Sequence, residues 1–483
     1  MLSSSSNQLA RTSPEEQGLS SAALLAFVNA LDASEQEIHS FMLLRHGCVV
    51  SEGWWAPYGP NIPHMMFSLS KSFASTAVGM AIDAGYFSVD DPVISFFPDD
   101  LPTTISENLA EMRVRHLLTM SSGHDVPTFP YMYNREDGNW PKGFFETPVV
   151  HQPGTLFLYN TGASYMLSEI VQRTTGQDLM RFLTPRLYEP LGIQSATWMT
   201  SPKGIALGGV GLSLTTEDIA RFGQLYLQKG LWQGERLLSE GWIEDATSAQ
   251  IANGTDPDND WNQGYGYQFW RCRHGLYRGD GAFGQFCIVM DEYDAVLAMT
   301  SAAQDMQQVM NIVWDNLLPA LQQGTNEQVS EATAHLSEAT TGLKLSPLKG
   351  QATSPNVLQM DGEYTADENR LGIQGFSLRF SGDTGTLTMQ MDDGIETIVA
   401  PFGRWQEGTA SFFDEIWLAG TLPLLASGAW VAENKYAIQM RLYETPYIYT
   451  LNFELKGDVL TVVIEKNVSL ISKEPHTITA RRQ

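Results

Sequence analysis

Two texts with different periodicities run along the chain. Up to about Pro319, runs with helical spacing of apolar positions, such as "SLSKSFASTAVGMAIDAGYF" and "TTEDIARFGQLYLQKG", alternate with short β-rich runs, among them "SFMLLRHGCVVSEGWW" and "GQFCIVMDEYDAVLAMTS". This mixture predicts an antiparallel sheet with helices packed on it, an α+β arrangement. From roughly Val357 the pattern is nearly all strand: "TGTLTMQM", "YAIQMRLYE" and "YIYTLNFELKGDVLTVVIE", the last with a hairpin turn at Lys456-Gly457-Asp458. A second, all-β domain of sandwich or barrel type is expected there. Between the two texts, "QQGTNEQVSEATAHLSEATTGLKLSPLKGQATSPN" is poor in aromatics and rich in Thr, Ser, Gln and Gly, the composition of a linker. The expected organisation is a tail over 1–12, a first domain over 13–321, a linker over 322–356 and the all-β domain over 357–483.

Composition narrows the function classes. With 483 residues, 43% of them hydrophobic and 17% charged, the chain is long and apolar enough for more than one buried core. Its formal net charge of -26, from 29 basic and 55 acidic residues, repels phosphate backbones and anionic headgroups, so neither nucleic acid nor a membrane surface is an expected partner. The start, "MLSSSSNQLARTSPEEQG", has no apolar h-region and no lipidation signal, and no apolar run is long enough to span a bilayer. The expectation is a cytoplasmic protein, compatible with a homo-oligomer. The three cysteines, Cys48, Cys272 and Cys287, lack the spacing of a zinc or redox site and read as buried free thiols.

Candidate chemistry sits in "HMMFSLSKSFASTAVGMAIDAGYF". Ser68 and Lys71, at i and i+3, share a helix face, so the amine can reach the hydroxyl. A helix amino terminus also favours a developing anion. A serine hydroxyl is a weak nucleophile until a neighbouring base takes its proton, which is a chemical reason for the lysine. The spacing alone is common: Ser346-Pro347-Leu348-Lys349 repeats it in the expected linker with no apolar helix after it. Around Ser68 the small residues Ala74, Ala77, Gly79 and Ala81 allow deep burial, and a buried lysine needs a partner or a task.

Further blocks follow this helix in order: "VDDPVISFFPD", "MRVRHLLTMSSGHD", "QPGTLFLYNTGASYMLSEIV", "GGVGLSLTTEDIARFGQLYLQKGLWQGERLLSEGWI" and "GYGYQFW". Together, over about Ser13 to Pro319, they resemble the serine β-lactamase and penicillin-binding superfamily in its class C-like branch, most of all its esterases and 6-aminohexanoate-dimer hydrolases. The resemblance implies a β-lactamase-like fold with an all-α subdomain, Ser68 as nucleophile, Lys71 as its activating partner and Tyr159 as proton shuttle. It also implies an oxyanion hole formed by the backbone N–H groups of Ser68 and Ala282. The carboxy-terminal strands loosely resemble the lipocalin-like barrels appended to several members.

The chain departs from the class C pattern twice. Where those members have Tyr-x-Asn it has Tyr159-Asn160-Thr161, and Lys-Thr-Gly falls at Gly279-Asp280-Gly281. Both changes remove groups that serve β-lactam recognition and point toward an esterase or amidase of small molecules. A D-amino-acid peptidase, or a binding protein that keeps the fold without turnover, are the alternatives. Asn160, Thr161, Asp280 and Gly281 are pocket candidates. Tyr131, Tyr133 and Trp140, in the aromatic insert "DVPTFPYMYNREDGNWPKGFFETPVV", either wall that pocket or clamp a long loop.

No cofactor or metal is expected. Gly279-x-Gly281-x-x-Gly284 matches a dinucleotide fingerprint on paper but leads into a strand rather than a helix. "DPDNDWNQGYGY" starts like a calcium loop, yet Trp261 stands where the turn glycine is required. His124 lacks the elbow motif of a Ser-His-Asp enzyme and reads as a loop residue.

Overall fold

The most apolar strand runs before Pro319 form the centre of a six-stranded antiparallel sheet. Its strands are β1 (Ile38–Arg45), β2 (Cys48–Trp54), β3 (Trp270–Arg271), β4 (Tyr277–Gly281), β5 (Gln285–Met290) and β6 (Ala295–Ser301), ordered β2-β1-β6-β5-β4-β3. β5 and β6 are buried along their whole length, which accounts for their unbroken apolar sequence. On one face lies α1 (Ser21–Asp32), whose Phe27 meets Phe41 of β1 edge to face at 6.0 Å. α2 (Ser70–Asp83) and α3 (Thr161–Thr175) pack on one another, and α4 (Thr216–Leu227) crosses β5 and β6. A Cβ at Gly223 of α4 would lie 2.5 Å from Val296 Cγ1 and 2.8 Å from Cys287 Sγ, so glycine permits that contact. Cys272 and Cys287 are buried free thiols; Cys48 is half-buried.

This computed structural model describes residues 8–324, 331–392, 394–418 and 420–483. The chain divides into two units, Met1–Gly53 with Pro63–Gly342 and Trp54–Ile62 with Leu343–Gln483. The segment Trp54–Ile62, expected within the first domain, thus belongs to the second unit: Ala56 N–H donates to the Leu343 carbonyl (3.0 Å) and Leu345 N–H to the Ala56 carbonyl (2.7 Å). The stretch expected as a linker also differs, because α5 (Glu331–Thr341) is helical. It runs along α1, burying Leu336 and setting Ser21 Oγ 3.3 Å from Thr333 Oγ1. A single buried apolar side chain leaves too weak a period to reveal that helix in the sequence. Nor is all of the expected tail loose, since Thr12 N–H donates to the Val49 carbonyl and Val49 N–H to that of Ala10. Residues 1–7 of the tail and 325–330 of the linker lie outside the described residues.

The second unit is a nearly closed barrel of ten antiparallel strands. They are β7 (Gly362–Ala366), β8 (Ile373–Ser381), β9 (Thr384–Met391), β10 (Gly394–Pro401), β11 (Gln406–Ala410), β12 (Leu422–Ala432), β13 (Lys435–Arg441), β14 (Ile448–Lys456), β15 (Val459–Lys466) and β16 (His476–Arg482), ordered β10-β9-β8-β7-β16-β15-β14-β13-β12-β11. Alternate side chains such as Phe376, Leu387, Leu424, Ile438, Phe453 and Val462 are buried, the period-two pattern of the sequence made physical. The hairpin at Lys456-Gly457-Asp458 is formed, with Gly457 at φ 59° and Lys456 opposite Val459. Among the described residues, no helix is long and apolar enough to cross a membrane.

Candidate active site

The turn that carries Ser68 is built by its neighbours. A two-residue strand, His64–Met65, pairs with Leu212–Leu214, and a short 3-10 turn over Phe67–Leu69 then leads into α2. Phe67 takes φ 45°, a left-handed backbone that costs a bulky residue on the order of 1–2 kcal/mol and persists only where the surroundings enforce it. The enforcement is visible: Ser70 Oγ donates to the Phe67 carbonyl (2.6 Å) and accepts from Leu212 N–H (3.2 Å). Glycines on β4 complete the turn. A Cβ at Gly281 would stand 2.0 Å from the Met66 carbonyl oxygen and 3.1 Å from the Ser68 nitrogen. The end of β4, with Ala282 next in the chain, therefore runs directly against the serine turn.

Lys71 is 1% exposed, and its Nζ lies 3.0 Å from Ser68 Oγ, 2.8 Å from the Gly209 carbonyl oxygen and 3.3 Å from Thr161 Oγ1. A neutral amine has two N–H donors and one lone pair. Two donors for Gly209 and Thr161 and a lone pair facing the Ser68 O–H satisfy all three contacts. Burial favours that form: it pulls the lysine from 10.5 down to about 7, against the opposing field of Asp280. Tyr159 stands beside this pair, its ring centroid 4.8 Å from Lys71 Nζ. Burial first, and then Asp280, hold its phenol well above the usual range, so it keeps its proton. Lysine as base and tyrosine as neutral donor is the division of labour this pairing allows.

The structure thus brings Ser68, Lys71, Tyr159, Thr161 and Gly281 together at one turn, while the neighbouring Asp280 is paired with Arg278 and Ala282 follows Gly281 in the chain. Asn160 is fully buried instead: it caps α3, its Oδ1 accepting from the N–H groups of Gly162 and Thr128 and from Thr128 Oγ1. Trp140, read from sequence as a candidate pocket wall, is 3% exposed and packed among Phe129, Tyr133 and Tyr165. Its indole is core, for the apolar insert folds onto α3. Tyr131 and Tyr133 are exposed, on the short helix Phe129–Tyr133. His124 is buried, held near 4 by burial, with Nδ1 2.9 Å from Ser122 Oγ and its ring against Phe144.

Sequence reasoning missed the scaffold behind Tyr159. Trp270 stacks on it at 5.3 Å and 23°, and Arg278, fully buried, lies 4.3 Å from the Trp261 ring and 5.9 Å from that of Trp270. Arg278 Nε donates to Asp280 Oδ2 at 2.9 Å. The calcium-like loop is a strut: Asp260 Oδ2 accepts from Arg273 Nε, Gln307 Nε2 and Trp314 Nε1. The i, i+2 spacing of Arg278 and Asp280 on a strand was the one available signal.

A profile of the Beta-lactamase family matches residues 38–322. In sequence the chain is similar to a 6-aminohexanoate-dimer hydrolase of Paenarthrobacter ureafaciens, 27% identical over 42% of this chain and 56% of that protein. It is also similar to a lovastatin esterase of Penicillium rubens, 26% identical over 26% and 37% of the two chains. It thus spans little more than half of the first of these relatives, and less of the second. In fold it is similar to a putative 6-aminohexanoate-dimer hydrolase from Bacillus anthracis (TM-score 0.51, 20% identity, 60% of this chain and 80% of that one). A D-amino acid amidase from Ochrobactrum anthropi SV3 gives a TM-score of 0.50 at 19% identity, covering 62% of this chain and 99% of its own. With the family profile spanning more than half of its length and the expected fold in place, this chain belongs to the Beta-lactamase family.

Proposed function

We propose that this chain is a serine hydrolase that cleaves an ester or amide bond of a small molecule through an acyl-serine intermediate. The observation that carries the reading is the 3.0 Å approach of Lys71 Nζ to Ser68 Oγ, in surroundings that draw the lysine down to about 7. The free amine takes the Ser68 proton as Oγ attacks the carbonyl carbon. Tyr159 delivers a proton to the departing alkoxide or amine and is refilled from Lys71. The backbone N–H groups of Ser68 and Ala282 hold the tetrahedral oxyanion, an interaction worth several kcal/mol in comparable sites. Water then repeats the sequence on the acyl-serine and frees the acid. The names of the relatives, a 6-aminohexanoate-dimer hydrolase and a lovastatin esterase, fit this chemistry.

The test is intact-protein and peptide mass spectrometry after treatment with a fluorophosphonate, comparing wild type with Ser68→Ala and Lys71→Ala. One adduct, on Ser68 and lost in both variants, is expected. No adduct, or one on another serine, would refute the assignment in favour of a binding protein that keeps the fold.

A further inference from the structure

Gln268, in the block "GYGYQFW", is 2% exposed and takes φ 64°, a left-handed backbone that persists at a glutamine only where its surroundings enforce it. The enforcement comes from three directions. Toward α2, the Gln268 carbonyl accepts from Ser72 Oγ (2.9 Å) and the Tyr267 carbonyl from Ser75 Oγ (2.7 Å), so consecutive carbonyls grip one face of the helix, beginning at the residue after Lys71. Toward α3, Gln268 Oε1 accepts from Ser164 Oγ (2.6 Å), one turn beyond Thr161, whose hydroxyl lies 3.3 Å from Lys71 Nζ. Toward the short helix Val114–Leu118, the backbone N–H donates to the Leu118 carbonyl (3.1 Å), and Nε2 donates to the carbonyls of Leu117 (3.2 Å) and Leu118 (2.7 Å). Tyr159 is reached from both sides. Just past Leu118, the Met120 carbonyl accepts from Leu158 N–H (2.8 Å), and just past Gln268, Trp270 stacks on the Tyr159 ring. A neutral carboxamide has two N–H donors and one carbonyl acceptor, and all of these roles are filled here. A glutamate would set an acceptor against two carbonyls, and an apolar side chain would withdraw a partner from both of them and from the Ser164 hydroxyl.

We propose that Gln268 is a positioning residue for the hydrolysis, holding Lys71, Thr161 and Tyr159 in register with Ser68 by tying α2, α3 and the segments on either side of Tyr159 to one buried side chain and its backbone. This deepens the hydrolase reading and rests on it. The proton transfer of that reading runs over the 3.0 Å between Lys71 Nζ and Ser68 Oγ, and a misplacement of about 1 Å in such an array costs on the order of a hundredfold in rate. Lys71 belongs to α2, Thr161 to the start of α3 and Tyr159 to the turn before it, so helical geometry within α2 cannot by itself set the distances between them. Gln268 bonds to each of these supports at once, and its left-handed strain is the local cost of bringing those donors and acceptors to a single residue.

The experiment uses the full chain and a fluorophosphonate, and reads the second-order labelling constant of Ser68 against pH beside the melting temperature. Gln268→Gly keeps the left-handed backbone without strain and removes the side-chain bonds to Ser164, Leu117 and Leu118. It is expected to stay folded and to label at least about tenfold more slowly at neutral pH. Its half-maximal rate should also lie at a higher pH than that of wild type, because a lysine between loosened helices regains solvent and moves back toward 10.5. A residue that served stability alone would lower the melting temperature and leave the rate and midpoint of the folded protein where they are. Ser164→Ala, which removes the α3 arm alone, should move both readouts the same way by less, and should add little to Gln268→Gly in the double variant, since the two act through one contact. Wild-type rate and midpoint in folded Gln268→Gly, or in Ser164→Ala should the first variant fail to fold, would overturn the proposal. So would a double variant slowed by the product of the two single effects. Absence of labelling in wild type would bring down the hydrolase reading, and this proposal with it.

Discussion

Phosphonylation of Ser68 should rise with pH through one titration centred near pH 7, because burial holds Lys71 at about 7 rather than 10.5. The magnitude follows directly. An exposed lysine is a free amine in roughly one molecule in three thousand at neutral pH, whereas Lys71 would be free in about half, a gain on the order of a thousandfold in available base. Below the titration the rate should fall about tenfold per pH unit, since protonation removes the lone pair that faces the Ser68 hydroxyl. The second-order labelling constant, read by intact mass from about pH 5 to pH 9, measures this without knowledge of the substrate. Lys71→Met should leave a residual rate at least about a hundredfold lower and flat across the same range. Stability carries the same titration with the opposite bookkeeping of protons. Between about 7 and 10.5 the unfolded chain binds a proton that the native site refuses, so native stability rises with pH across that window. The slope attributable to Lys71 reaches about 1.4 kcal/mol per pH unit and should vanish in Lys71→Met. A wild-type labelling rate that is flat through neutrality, or half-maximal only above about pH 9, would show that Lys71 keeps its proton and is not the base.

Two other substitutions probe the packing. Gly281→Ala places a methyl 2.0 Å from the Met66 carbonyl oxygen and should cost about 1–3 kcal/mol of stability while slowing Ser68 labelling at least about tenfold; Gly241→Ala, which meets nothing within 4 Å, is the matched control, and equal melting and labelling of the two would contradict the close approach of β4. Trp140→Ala should lose about 3–5 kcal/mol with the relative rates over an ester series unchanged; a shifted acyl preference at wild-type melting temperature would return the indole to the pocket wall.

What the sequence made legible is what periodicity and spacing can encode. The barrel strands alternate so regularly that "TGTLTMQM" is β9 residue for residue. The Ser68 and Lys71 pair is carried by a helical interval, and Tyr159 by the order of blocks around it. Hidden were the interactions that run through backbone atoms or across long separations. The carbonyl of Gly209 that holds Lys71 has no side chain to advertise it. The task of Asp260, in a segment that only begins like a calcium loop, was hidden because its partners, Arg273, Gln307 and Trp314, converge only in three dimensions. Trp140 was ambiguous because one residue type serves both a core and a pocket wall, and only burial separates them.

The excursion of Trp54–Ile62 into the barrel unit alters what the carboxy-terminal strands mean for the rest of the chain. A unit made from two distant stretches cannot be removed by one cut. Ending the chain after Gly342 would remove the Leu343 carbonyl and the Leu345 N–H that pair with the backbone of Ala56. During synthesis the same topology imposes an order of events: Ala56 meets its backbone partners only once Leu343 and Leu345 have left the ribosome. Selection on the carboxy-terminal strands is thereby felt by a short stretch of chain near the amino terminus.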